Sequence, residues 1–345
     1  MNASIRNPRL LVLAALLLVR GMTFAQDVHF GQFFNAPLVI NPANAGDIDG
    51  DQRLTLIHRE QWRSVDAAFR TDAFSYDLPL FRGRMGGRYL GVGLSAFSDK
   101  AGSTAFGDTQ GSLSLSYAIR GGESSLMAFG LQGTYGQRSA VLDGMRWDSQ
   151  YNGAGYDPTL PTGESIPNAR RSFVDFGAGA LVKGELKNGV QWKGGVSVFH
   201  LHEPIVSLFS TDEDRLLRRF TVHGETRIDG KTWSWLPKFF VAQQGGSREI
   251  NVGSLMHRRI GIDSRYTTDK NSSGLYFGCF YRVGDALVPT VQFEWKRKLV
   301  AAISYDVNVS RLRAQTAYRG GAEISLQWIG VLGEKRRQLP RSKAH

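Results

Sequence analysis

Ser112-Leu113-Ser114-Leu115-Ser116-Tyr117-Ala118-Ile119 sets Leu113, Leu115, Tyr117 and Ile119 against Ser112, Ser114, Ser116 and Ala118. That alternation is what a pleated strand with one apolar and one polar face requires. The pattern recurs along the chain. Val174, Phe176, Ala178, Ala180 and Val182 oppose Asp175, Gly177 and Gly179. Ala301, Ile303, Tyr305 and Val307 oppose Ala302, Ser304, Asp306 and Asn308, and Ala322, Ile324, Leu326 and Trp328 oppose Glu323, Ser325 and Gln327.

Such segments fall near 53–62, 67–78, 88–98, 108–119, 124–137, 172–183, 190–201, 217–228, 233–243, 248–265, 273–283, 286–296, 298–308 and 318–328. Most reach about ten residues, the length a tilted strand needs to cross a bilayer. Connection lengths support the same architecture. The longest, 138–171 and 202–216, follow odd-numbered segments, whereas the turn-rich links at 120–123, 184–189, 229–232 and 268–272 follow even-numbered ones. Long connections on one side and short turns on the other mark an outer-membrane barrel with its N-terminus in the periplasm. Trp62, Trp192, Trp233, Trp235, Trp295 and Trp328 stand near segment ends, where interfacial girdles sit.

The expected fold is therefore all-β: a transmembrane antiparallel β-barrel of about fourteen strands. A soluble sandwich or propeller is the competing architecture. Arg59, Glu60, Arg70 and Asp72 interrupt the apolar face of the first two segments. They must point into the lumen, pair with each other, or lie near an interface.

Residues 1–25 read as an export signal: Arg6 and Arg9 precede the apolar run Leu10–Val19, and Thr23-Phe24-Ala25 offers small residues for cleavage. The mature chain would begin at Gln26, with residues 26–52 as an N-terminal segment, 53–330 as the barrel and 331–345 as a basic tail. In that tail Lys335, Arg336, Arg337, Arg341 and Lys343 face one acid, Glu334. The formal charge of the 345 residues is +11, yet nucleic acid is an improbable partner for an exported protein. The single cysteine, Cys279, excludes an internal disulfide framework.

Catalytic signatures are missing. There is no G-x-S-x-G elbow, H-E-x-x-H pair, P-loop or dinucleotide fingerprint. His200, His202 and His223 could share strand faces, but ordinary polar strand-end residues explain them as well. Thr211-Asp212-Glu213-Asp214 lacks the alternating ligand spacing of a calcium loop. No cofactor, metal or enzymatic activity is expected.

The stretch QDVHFGQFFNAPLVINPANAG, Gln26 to Gly46, resembles the opening of the PorP/SprF family of type IX secretion system outer-membrane proteins. The likeness continues through His58-Arg59-Glu60-Gln61-Trp62, Ser75-Tyr76-Asp77-Leu78-Pro79-Leu80, Gly155-Tyr156-Asp157-Pro158 and Phe173-Val174-Asp175-Phe176-Gly177. It goes on through Tyr281-Arg282-Val283-Gly284-Asp285-Ala286-Leu287, Ser304-Tyr305-Asp306-Val307-Asn308 and Gly320-Gly321-Ala322-Glu323-Ile324. Gly31 stands where the family usually has Ser, Tyr156 where Phe is common, and the tail beyond Gly330 lies outside the pattern.

The resemblance implies an outer-membrane barrel of Bacteroidota serving type IX secretion or gliding. Its implied partners are a periplasmic lipoprotein ring, a peptidoglycan-binding lipoprotein, and secreted cargo or an adhesin with a C-terminal sorting domain. Pro37 and Pro42 would hold residues 26–46 extended. In that segment His29, Phe30, Gln32, Phe33, Phe34, Pro37, Asn41, Pro42 and Gly46 are candidates for docking on a partner or for plugging the barrel. Trp147, Tyr151, Asp157, Glu203, Asp212 and Asp214 are candidates for facing cargo from the long loops. The rivals are a free-standing porin-like small-solute channel and a surface adhesin or receptor barrel.

Overall fold

A computed structural model describes residues 27–330 apart from 62–68, 103–105, 123, 142–145, 164–169, 209–213, 262–271 and 311–318. The export signal, the basic tail, Trp62 and Asp212 lie outside the described residues.

Alternation becomes a wall. The strands are β1 (Gln52–Gln61), β2 (Phe69–Met85), β3 (Arg88–Ala101), β4 (Phe106–Arg120), β5 (Ser125–Ser139), β6 (Arg170–Glu185) and β7 (Gln191–Phe199). They continue as β8 (Arg219–Asp229), β9 (Trp233–Gln244), β10 (Ser247–Ile260), β11 (Ser273–Arg282), β12 (Ala286–Trp295), β13 (Leu299–Asn308) and β14 (Arg319–Gly330). Each pairs antiparallel with its neighbours in sequence. β1 then meets β14, from Gln52 opposite Gly330 to Gln61 opposite Gly321, and the fourteen strands close a barrel.

Apolar side chains face outward. Leu113 and Leu115, Phe129 and Leu131, Val174 and Phe176, Ile303, Ile324 and Leu326 are all exposed on the outer wall. Their alternates are buried and polar: Ser114 and Ser116, Gln132, Asp175, Ser304, Asp306, Glu323 and Ser325. A water-soluble sandwich buries its apolar faces, so this inversion identifies a membrane barrel.

The charges of β1 and β2 take different settings. Arg59 is buried in the lumen at 2% exposure. Glu60 stands opposite Arg70 across the β1–β2 ladder. His58 Nδ1 lies 2.7 Å from Asp72 Oδ1 on the outer wall.

One strand is shorter than its apolar pattern suggests. β10 stops at Ile260, so residues 261–272 follow it, not the short link 268–272. The short-turn rule holds for the other even strands. The long connections are 140–169 after β5 and 200–218 after β7. Their side is called the loop end below; both barrel termini, Gln52 and Gly330, meet at the turn end.

Candidate functional site

The lumen is occupied by the chain's own N-terminal segment. Asp27 stands at the loop end, where its backbone N donates to Gln244 Oε1 at the end of β9 (2.9 Å). From there the chain descends to Gly50, beside Ile329 and Gly330 at the turn end, and enters β1.

This segment is not extended, as the prolines had suggested. It folds into three helical turns, Phe33–Asn35, Pro37–Ile40 and Pro42–Asn44. Pro37 and Pro42 each open a turn, where a missing N–H is harmless and the fixed φ suits a helix. Asn41 caps the third turn, its Oδ1 accepting from Ala43 N at 2.9 Å.

Apolar contacts hold the first half. Phe33 stacks on Phe240 at 5.5 Å and meets Phe280 edge-on at 5.6 Å, while Phe34 lies 5.1 Å from Phe280. Phe30 packs in a second cluster with Ala36 and Ile57, and Leu38 is fully buried. Replacing both Phe33 and Phe34 with Ala is expected to destabilise the folded protein by at least about 3 kcal/mol. Thermal unfolding of the detergent-solubilised barrel reads this. An unchanged unfolding temperature combined with lost partner recovery would instead assign these rings to docking.

Polar contacts fix the register. Glu323 receives Gly31 N at 2.7 Å and Gln32 N at 2.9 Å. The Gln32 side chain donates to Ser304 Oγ and to Glu323 O, and accepts from Asn35 and Ser325. Arg59 donates to His29 O and to Asp306, which also takes Arg282 NH2 at 2.6 Å. Farther along, Asn41 Nδ2 bridges Ala180 O and Val196 O and lies 3.2 Å from His223 Nε2.

The turn end is clamped as firmly. Arg53 holds Asp77 with two 2.9 Å hydrogen bonds, and Asp77 also accepts Gly46 N. Arg82 donates to the carbonyls of Gly46, Ile48 and Gly50. Asp47 pairs with Lys183 and Lys193. The wall is shaped to match: a Cβ on Gly91 would sit 1.9 Å from Ala45 O, and one on Gly130 2.3 Å from Ala43 N. Glycine at these inward positions lets the plug backbone approach the wall.

At the loop end His200 bridges two acids, with Nε2 2.6 Å from Asp27 and Nδ1 2.8 Å from Asp175. Burial pulls the imidazole down, but the two carboxylates hold its pKa up at about 9. Burial likewise opposes ionisation of Asp27, yet His200 and Arg219 keep its carboxyl well below the usual range. The His200 contribution is complete below 6.5 and is lost as pH rises through about 9. The Asp27 contribution is present above 3.8 and is lost as pH falls through its lowered value. Backbone hydrogen exchange at residues 27–30, corrected for intrinsic rates, is therefore expected to lose protection between pH 7 and pH 10. His200→Gln should remove that pH dependence, and protection unchanged to pH 10 would contradict it.

All the N-terminal candidates lie inside the barrel. Phe30, Gln32, Phe33, Pro37, Asn41, Pro42 and Gly46 are buried, and His29 and Phe34 are partly so. The loop candidates divide. Asp214 is tied to Arg138 at 3.1 Å, and Glu203 lies 3.4 Å from Arg218. Around them residues 204–208 and 214–216 run side by side, bridged at Ile205 and Arg215, and Val206 and Leu216 pack on Phe173. Trp147, Tyr151 and Asp157 belong to a tight tip in which Tyr151 bridges Tyr156 and Gln150 donates to Leu160 O. Tyr151 is exposed there, and Asp157, half-buried, has its carboxyl lowered by hydrogen bonds from Thr159.

His200 is held by Asp27 and Asp175 while His223 meets Asn41, and no group of three His, Cys, Asp or Glu placed to hold a metal ion occurs among the described residues. Most of the ionic framework escaped motif reading. Asp27, Asp77, Asp306 and Glu323 stood in stretches that carry the family likeness but with no role attached, and Arg53 and Asp47 carried no motif signal.

Fold and lumen together define a class: an outer-membrane-type β-barrel filled by its own N-terminal segment. Residues 22–328 match the family described as type IX secretion system membrane protein PorP/SprF, and the chain belongs to that family. A comparison with curated proteins finds no match. Among solved structures, the chain is similar to the Ralstonia pickettii toluene transporter TbuX, with 10% identity, TM-score 0.48, and coverage of 86% of this chain and 94% of that one. It is also similar to a deltaS2 mutant of the TodX monoaromatic hydrocarbon channel, with 10% identity, TM-score 0.44, and coverage of 87% and 94% respectively. For BamA from Haemophilus ducreyi lacking POTRA domains 1-3, identity is 10%, TM-score 0.39, and coverage 81% and 70%.

Proposed function

We propose that this barrel is a non-enzymatic anchor and adaptor of the type IX secretion and gliding machinery, which secretes or retains cargo bearing a C-terminal sorting domain. The observation that carries the proposal is the plug, bonded to the wall at both ends of the lumen. A solute pore needs an open path through the lumen, and here the plug occupies the lumen; two of the cavities between plug and wall hold about 30 Å³ each, room for one or two waters. Members of the family serve secretion, and a filled barrel suits holding and docking better than conduction.

In this proposal an export signal directs the chain to the outer membrane, with the turn end in the periplasm. That end meets the lipoprotein ring and the peptidoglycan-binding lipoprotein. At the loop end, the tip carrying Trp147, Tyr151 and Asp157 offers an exposed aromatic surface to cargo.

Affinity purification from mildly solubilised, crosslinked outer membrane tests the proposal. Recovery of ring subunits or of a protein with a C-terminal sorting domain is the expected outcome. Recovery of the barrel alone would overturn it.

A further inference from the structure

The β12–β13 turn places cations where the backbone favours glycine. Lys298 N donates to Trp295 O at 2.9 Å, and both central residues are left-handed, Lys296 at φ 50° and Arg297 at φ 59°. A turn with two positive-φ centres strongly prefers Asn-Gly or Gly-Gly, because a Cβ is strained there against the neighbouring carbonyl oxygen. The β2–β3 turn at the same end of the barrel conforms, using Gly86 at φ 61° and Gly87 at φ 87°. At β12–β13 the backbone strain instead brings Lys296 and Arg297 to the tip, with Lys298 beside them.

These cations border a lipid-facing aromatic row. Trp295 lies opposite Leu299, and Leu299 opposite Trp328, across β12, β13 and β14. Trp295 and Trp328 are 53% and 40% exposed on the outer wall, and Lys296 Nζ lies 5.8 Å from the Trp295 ring. On the same wall and at the same end, Arg258 sits 5.3 Å from the Trp233 ring, with Phe277 edge-on beneath. The buried arginines Arg59 and Arg282 are engaged by lumen carboxylates. Lys296, Arg297 and Lys298 have no carboxylate partner among the described residues.

We infer that the turn-end rim of β9–β14, built on Lys296, Arg297, Lys298 and Arg258 beside Trp295, Trp328 and Trp233, is a binding site for anionic phospholipid headgroups. Tryptophan at this depth marks the boundary between acyl chain and headgroup. A cation just beyond it meets the lipid phosphate, and basic side chains at that depth are drawn to an anionic surface. Lipid is favoured over a soluble acidic partner because the cations adjoin a wall that already faces the bilayer. The inference rests on the barrel being in a membrane and does not depend on the secretion role.

The test uses the full chain in detergent and reads thermal unfolding with added phosphatidylglycerol, phosphatidylcholine or soluble glycerophosphate. Phosphatidylglycerol is expected to raise the unfolding temperature several degrees more than phosphatidylcholine, with glycerophosphate inert. In Lys296→Asn/Arg297→Gly that difference should fall by at least half, while the temperature without lipid stays equal or rises because the turn is relaxed. Lys298→Gln, which leaves the backbone alone, should move the lipid difference in the same direction. Equal gains from both lipids, an anionic gain retained by both variants, or an equal effect of glycerophosphate would overturn the inference.

Discussion

Excision of residues 27–50 is expected to turn a silent barrel into a conducting one. The wall does not need the plug for its backbone hydrogen bonds, since the ladder closes through β1 and β14. What the plug covers is the inward polar face: Gln132, Ser197, Thr221, Asp306 and Glu323 would pass from plug contacts to water. A barrel of this strand number is wide enough to hold water once emptied. Planar-bilayer recording should show stable open steps for the excised chain and none for the full chain. Equal conductance in both would mean that the plug does not seal the lumen, and the porin-like alternative would gain.

The second large effect lies in the buried ion pairs. Arg59→Met leaves Asp306 with Arg282 alone, frees His29 O and removes the cation beside Glu323. Arg53→Met at the other end strands Asp77, a carboxylate with 0% side-chain exposure that is held by that arginine and by Gly46 N. Removing one partner of a buried pair costs about 3–5 kcal/mol, because the remaining charge has no water to turn to. Each variant should therefore unfold at a distinctly lower temperature in detergent, and each should show intermittent conductance as its end of the plug loosens. A neutral result for both would mean that the ionic clamps are spread too widely for any one to matter.

Alternation reports which side of a strand faces lipid, and so the wall could be read from the sequence almost strand by strand. Segment 108–119 corresponds to β4 and 318–328 to β14, within a few residues at their ends. β10 was overread because Ile262 resumes the apolar pattern after Gly261, whereas the strand ends at Ile260 and Gly261 takes a positive φ of 93°. The lumen was far less legible. Period two says that Asp306, Glu323 and Gly91 point inward, but not what they meet. The plug conformation was misjudged because a proline φ near −65° suits an extended chain and the first residue of a helix equally. Only Glu323, Ala43 and their neighbours, brought together from distant sequence, decide between the two.

The order of the plug in the chain bears on how the molecule comes to exist. Gln32 bonds Glu323 across a separation of 291 residues, yet the segment holding Gln32 precedes every strand. The sequence reaches β13 and β14 last, and their inner faces complete the cradle around it. A strut tied to the wall on all sides is not readily slipped into a finished cylinder. Such long-range contacts form slowly, after the local hairpins. Assembly is thus expected to resemble winding about a central core: the first part made waits, the hairpins gather round it, and the seam between β14 and β1 closes only once the core is seated.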